Sequence, residues 1–185
     1  LKPTLTVTKS GKPDNFLADA IKGIANSRAY VGIPEKNTSR KGEITNAGLL
    51  YIHTNGSEVM NIPARPVIEP AIEDDRNVLE RMLGGVAESA LDGQKDMMRQ
   101  KLEQVGRRGA NDAQRWFTNP KNGWPRNKSA TIARKLSTLH GDVKKDAMAA
   151  LVEAGETGDV SNIDTPLIDT GEMRRAITYV TEIKE

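Results

Sequence analysis

Ala29-Tyr30-Val31-Gly32-Ile33-Pro34 is the stretch on which the fold turns. Its β-branched and aromatic residues read as a strand, and Pro34 ends it because proline cannot donate to a β ladder. Working backward, Asp14 can cap a helix that carries Leu17, Ile21 and Ile24 on one face. Ser10-Gly11-Lys12-Pro13 reads as a turn, and residues 4–8 alternate polar and apolar, with Leu5 and Val7 on one face, as a first strand does. At the far end, residues 177–183 read as a final strand. Strands at both ends with helices between them predict an α+β domain. Its sheet would be small, mixed or antiparallel, and would include the N- and C-terminal strands, with packed helices and long loops. The length of 185 residues suits one domain, 1–185.

The middle of the chain divides at its glycines and prolines. Residues 35–42 read as a charged loop. A short helix is expected over 45–53, with Gly56 available for a left-handed stop. Ile62-Pro63-Ala64-Arg65-Pro66 must be extended, since a residue before proline is pushed out of the helical region, and Val67 and Ile68 read as a short strand. From Ala71 the pattern is helical, with Leu79, Leu83, Val86 and Ala90 on one face. Gly84-Gly85 weakens that helix by about 1 kcal/mol per glycine, and Gly93 breaks it. A second helix carries Met98, Leu102 and Val105 and is expected to resume after 106–109 through Trp116. Residues 119–128 read as loop. Asp142 then caps a helix with Val143, Ala147, Ala150, Leu151 and Ala154 as its apolar face, ended by Gly155. A polar stretch over 155–164 and a helical turn near 172–176 lead to the last strand.

Hydrophobic residues make up 37% of the chain and aromatics only 4%, so the core must be lean and mostly aliphatic, of a kind that borrows stability from partner subunits. With no cysteine, disulfides and thiolate metal sites are excluded. No apolar run approaches the roughly 18 residues a membrane span needs, and Leu1-Lys2-Pro3 opens no signal-type apolar segment. The net charge is +2, but between Asp112 and Asp142 there is no acidic residue, while Arg115, Lys121, Arg126, Lys128, Arg134 and Lys135 all fall there. This segment is either a solvated basic loop or an interface for an acidic neighbour or nucleic acid.

No catalytic constellation emerges from the residue types and their spacing. His53 and His140 stand at no ligand spacing, no phosphate-cradling glycine loop occurs, and no serine sits in a nucleophile elbow. Glu73-Asp74-Asp75 is read as a carboxylate cluster at a helix N-terminus, where the macrodipole favours it. The expectation is a protein with no catalytic, metal or cofactor site. The candidate subunit or partner interface is Arg65, Arg115, Trp116, Trp124, Arg126, Lys128, Arg134 and Lys135. Trp116, Phe117 and Trp124 beside the basic segment either stack on bases or anchor the segment to the core or a neighbour, and the second reading is favoured. Arg65, held between Pro63 and Pro66, reads as a rigid docking element or as a core turn. Asp169-Thr170-Gly171-Glu172 reads as a structural cap, with Asp169 or Thr170 accepting from free amides and Gly171 allowing close backbone approach.

Several of these segments together resemble a known group. Tyr30-Val31-Gly32-Ile33-Pro34, Asn46-Ala47 with Tyr51, His53 and Gly56, and Ile62-Pro63-Ala64-Arg65-Pro66 are similar to tail-completion, or head–tail joining, proteins of tailed bacteriophages. Trp124-Pro125-Arg126-Asn127, Thr131-Ile132-Ala133-Arg134-Lys135 and Pro166-Leu167-Ile168-Asp169-Thr170-Gly171 resemble the same group and the phage virion-morphogenesis proteins. The likeness spans about residues 29–181. Position 67 is Val where the family commonly has an aromatic, and residues 139–163 read as a helical insertion.

The resemblance implies a non-enzymatic virion protein, assembled in the host bacterial cytoplasm as a ring, six-fold by expectation. It would sit at the neck or the head-proximal end of the tail. Its partners would be copies of itself, a head–tail connector or adaptor, and tail tube proteins, with phage DNA passing through the lumen and no sequence-specific binding. No cofactor and no membrane are implied. A tail terminator ring and a nucleic-acid-binding module using the basic 115–135 segment are the alternatives.

Overall fold

A stripe of small residues on one long helix sets the architecture. In the computed structural model, which describes residues 16–37, 44–127, 129–154, 165–168 and 170–183, that helix, here α5, runs unbroken over Lys95–Trp116. It is preceded by α1 (Phe16–Ala25), β1 (Ser27–Gly32), a 3-10 turn (Glu35–Asn37), α2 (Asn46–Asn55), α3 (Ile68–Asp74) and α4 (Arg76–Leu91). It is followed by a second 3-10 turn (Pro120–Asn122), α6 (Ser129–Ser137), α7 (Gly141–Ala154), α8 (Glu172–Ala176) and β2 (Thr178–Ile183). The described strands form one antiparallel ribbon, with Ser27 opposite Ile183 and Gly32 opposite Thr178. This is the expected α+β domain.

Gly106 and Gly109 were expected to interrupt the helix; instead they let the ribbon lie on it. A Cβ at Gly106 would stand 2.5 Å from Tyr179 Cδ2, and one at Gly109 would stand 2.9 Å from both Val31 Cγ2 and Ile72 Cδ1. With Ala110 and Ala113 they recur every three or four residues along a buried face. A glycine in mid-helix costs about 1 kcal/mol in propensity, and close approach of a strand and of α3 offsets that cost here. α4 and α5 pack as a hairpin whose turn contains Gly93 at φ 73°, at the break the sequence placed there.

Two apolar clusters flank α5. One gathers Leu79, Val86, Ala90, Met98, Leu102 and Val105 from the α4–α5 hairpin, with Ile24 of α1 and Ile183 of β2 against it. The other gathers Leu50, Val67, Ala71, Ala113, Trp116, Phe117, Met173 and Ile177. Gln114 joins α5 to the approach of β2, its Nε2 donating to the Ile177 carbonyl at 2.8 Å.

Several expectations need correction. Val67 and Ile68 do not form a strand: Val67 has helical φ and ψ, starts α3, and is fully buried. Fixing it among core atoms outweighs the strand preference of a β-branched pair. Leu17, Ile21, Leu83 and Val143 are exposed, and it is Ala20, Leu79, Val86, Ala90 and Ala147 that turn inward. Asp142 lies in the first turn of α7 and does not precede it. The basic segment is not one loop. Arg115 lies in the last turn of α5, and Arg134 and Lys135 in the last turn of α6, where cations suit the helix dipole. The first strand over residues 4–8, the Asp14 cap, Lys128, Asp169 and the polar stretch 155–164 lie outside the described residues.

Candidate functional site

Two proline-bearing segments, distant in sequence, are laced together beside the second cluster. α2 is capped at Thr45, whose Oγ1 accepts from the Gly48 amide at 3.1 Å. It ends at Gly56, with φ 74° and ψ −177°, so the stop uses positive φ without the left-handed helical ψ that was expected. A Cβ there would fall 2.8 Å from the Ala64 nitrogen and 2.9 Å from the Ile62 carbonyl oxygen. The chain can therefore double back over the end of α2 only with glycine at this position.

The returning strap, 62–66, lies outside any helix, as its prolines require. The Arg65 amide donates to the His53 carbonyl at 2.6 Å. The Arg65 side chain points inward, is 7% exposed, and donates through Nη2 to the carbonyls of Pro125 at 2.7 Å and Arg126 at 3.2 Å. In return Trp124 Nε1 donates to the Pro66 carbonyl at 3.2 Å. Trp124 meets Phe117 edge-on, with centroids 5.9 Å apart and an interplanar angle of 89°, a favoured aromatic geometry. Asn122 completes the lacing: its Nδ2 donates to the Trp116 carbonyl and its Oδ1 accepts from the Trp124 amide.

α6 and the chain before α8 supply the opposite wall. Lys135 Nζ donates to the Thr165 carbonyl at 2.8 Å. Gly171, at φ 73°, is the N-cap residue of α8, and Thr170 Oγ1 accepts from the Glu172 amide at 3.4 Å. The capping role expected of Thr170 is thus present in weak form. Between these walls lies an open cleft of about 510 Å³, bordered by residues of 61–65, 125–127, 131–135, 167–168 and 170–173.

The candidate interface residues therefore separate. Trp116 is buried in the second cluster and Trp124 is half-buried over it, so both anchor the Pro-rich segment to the core. Arg65 is committed to backbone carbonyls inside the chain. Pro63, Arg126, Arg134 and Lys135 border the cleft, while Pro66 carries the carbonyl that holds Trp124. Arg115 stands apart on α5, largely exposed, 3.7 Å from Asp112.

The acidic cluster also has a role the sequence did not reveal. It straddles the break between α3 and α4. Arg108 Nε of α5 reaches Asp75 at 2.7 Å and Asp112 at 3.0 Å, and Lys121 reaches Asp74 at 2.6 Å. Burial pushes the Asp75 carboxyl up, but hydrogen bonds from Arg108 and Asp112 and the fields of Arg108 and Arg81 outweigh it and hold it below the ordinary carboxylate value. Asp112 is raised, first by burial and then by its hydrogen bond with Asp75 and the repulsion of that charge. This is a clamp between helices.

Among the described residues, no cluster of His, Cys, Asp or Glu could hold a metal ion, and no helix is long and apolar enough to cross a membrane. No protein-family model, no curated protein and no solved structure matches the chain.

Proposed function

We propose that this chain is a structural subunit of a tailed-phage virion, forming a ring at the neck or the head-proximal end of the tail and joining the head connector to the tail tube. One observation carries the reading. Four of the segments that bear the resemblance, 62–66, 124–127, 131–135 and 166–171, are scattered along the sequence, yet their described residues converge on one cleft and on the lacing behind it, while Tyr30 and Val31 of the first segment line a different groove. Motifs that act separately have no reason to meet; motifs that build one shaped surface must. The surface is stiffened from within by Arg65 and Trp124, which lowers the ordering cost when a neighbouring subunit binds.

The test is made on particles. Phage produced without this chain should yield filled heads and complete tails that fail to join, and supplying the chain in trans should restore joined particles. Normal joined particles in its absence would refute the proposal.

A further inference from the structure

A short turn leaves two apolar side chains in water. After α2, Ser57 and Ile62 exchange backbone hydrogen bonds, each amide donating to the other's carbonyl at 2.8 Å. The Asn61 amide closes the turn on the Glu58 carbonyl at 3.0 Å, with Asn61 at φ 52°, a conformation asparagine tolerates. At the tip Val59 is 99% exposed and Met60 64% exposed. The turn is thus a fixed apolar knob with Glu58 beside it.

On different elements, β1, α3, α4 and α5 enclose a groove of about 500 Å³ that shares no residue with this turn. Its floor is Leu79 and Val105, its walls include Ile72, Tyr30 and Leu83, and Arg28 stands at its rim. Tyr30 and Leu83 are about half exposed although both are large and apolar. Arg28 stands opposite Glu182 in the ribbon but forms no ion pair among the described residues, whereas Arg76 and Glu80, which also line the groove, are paired with each other.

We propose that the Val59–Met60 knob of one copy of this chain seats in the β1–α3–α4 groove of the next, with Glu58 facing Arg28. Charge complementarity and the matching apolar character select a second copy as the occupant. Because knob and groove are different patches, the contact is heterologous, and repeated by a rotation that closes, it builds a ring. The inference rests on the ring reading above, for which it supplies the subunit contact. The residue types fit: Met adapts to an irregular groove, and apolar burial provides the driving force.

The test is self-association of the purified chain, measured by analytical ultracentrifugation. Val59→Asp and Leu83→Asp should each weaken association by about tenfold or more. Glu58→Arg and Arg28→Glu should each weaken it, and the double reversal should recover much of the loss, which a merely structural effect would not do. Val59 touches nothing in the fold, so far-UV circular dichroism and melting of Val59→Asp should match the parent chain. A parent chain that stays monomeric at every concentration, or a Val59→Asp chain that associates as the parent does, would overturn this contact. The ring reading is judged separately, by the joining of heads and tails in particles made without the chain.

Discussion

The two clusters on α5 bury apolar surface in different ways. The cluster under the α4–α5 hairpin has an aliphatic interior, supplied mainly by neighbouring turns of two consecutive helices. The cluster at the other end takes residues from α2, the start of α3, α5 and α8, includes Trp116 and Phe117, and is backed by side-chain hydrogen bonds to loop carbonyls. The first is held mainly by periodic burial, with Lys101 Nζ of α5 donating to the Gly85 carbonyl of α4 at 3.0 Å. The second also holds irregular backbone in place, so damage to it should reach the surface of the cleft.

That contrast can be broken from either side. Phe117→Ala is expected to have the largest effect, about 3–5 kcal/mol of lost stability, because the ring is fully buried and braces Trp124. Tryptophan emission should shift toward that of an exposed indole before global unfolding in a denaturant titration. Leu102→Ala should cost about 3 kcal/mol with no such early shift, since Leu102 lies in the hairpin cluster. Equal early shifts in the two variants would show that the clusters are one unit.

Arg65→Ala removes the two bonds to Pro125 and Arg126 and should cost about 2 kcal/mol. Faster amide exchange is expected at residues 122–127 and unchanged exchange in α4. By sequence Arg65 reads as either a rigid docking element or a core turn. The buried guanidinium makes Arg65→Ala a structural variant as well. Slow, parent-like exchange at 122–127 would show that the lacing is unimportant.

Asp75→Asn should have the smallest effect, about 1 kcal/mol at neutral pH in thermal or urea unfolding. The folded Asp75 pKa is lowered, so its contribution is present above the ordinary carboxylate value and is lost as the pH falls through the lowered one. The difference between parent and variant should therefore shrink on acidification. A difference that grows toward acid would contradict the clamp.

The periodic part of this molecule was legible in the sequence. The hairpin helices, the Gly93 turn, β1, β2 and their place in an α+β fold follow from spacing and turn chemistry. Gly106 and Gly109 misled because propensity speaks of helices in isolation, and nothing local announces that Tyr179 and Val31 need the room. Val67 misled for a similar reason, its conformation being set by burial. Arg65 was recognisable as a constrained cation, but which way it points depends on carbonyls far away in the chain. The pairing of Arg108 with Asp75 likewise joins residues well separated in sequence, and the knob at Val59–Met60 carries no periodic signal.

We propose that this chain acts by locking copies of itself into a closed ring at the head–tail junction. Cryo-electron microscopy of mature particles tests it most directly. The account predicts a closed ring of density at the junction into which this fold can be built once per subunit. Mature, infectious particles with no copy of the chain at that junction would contradict it.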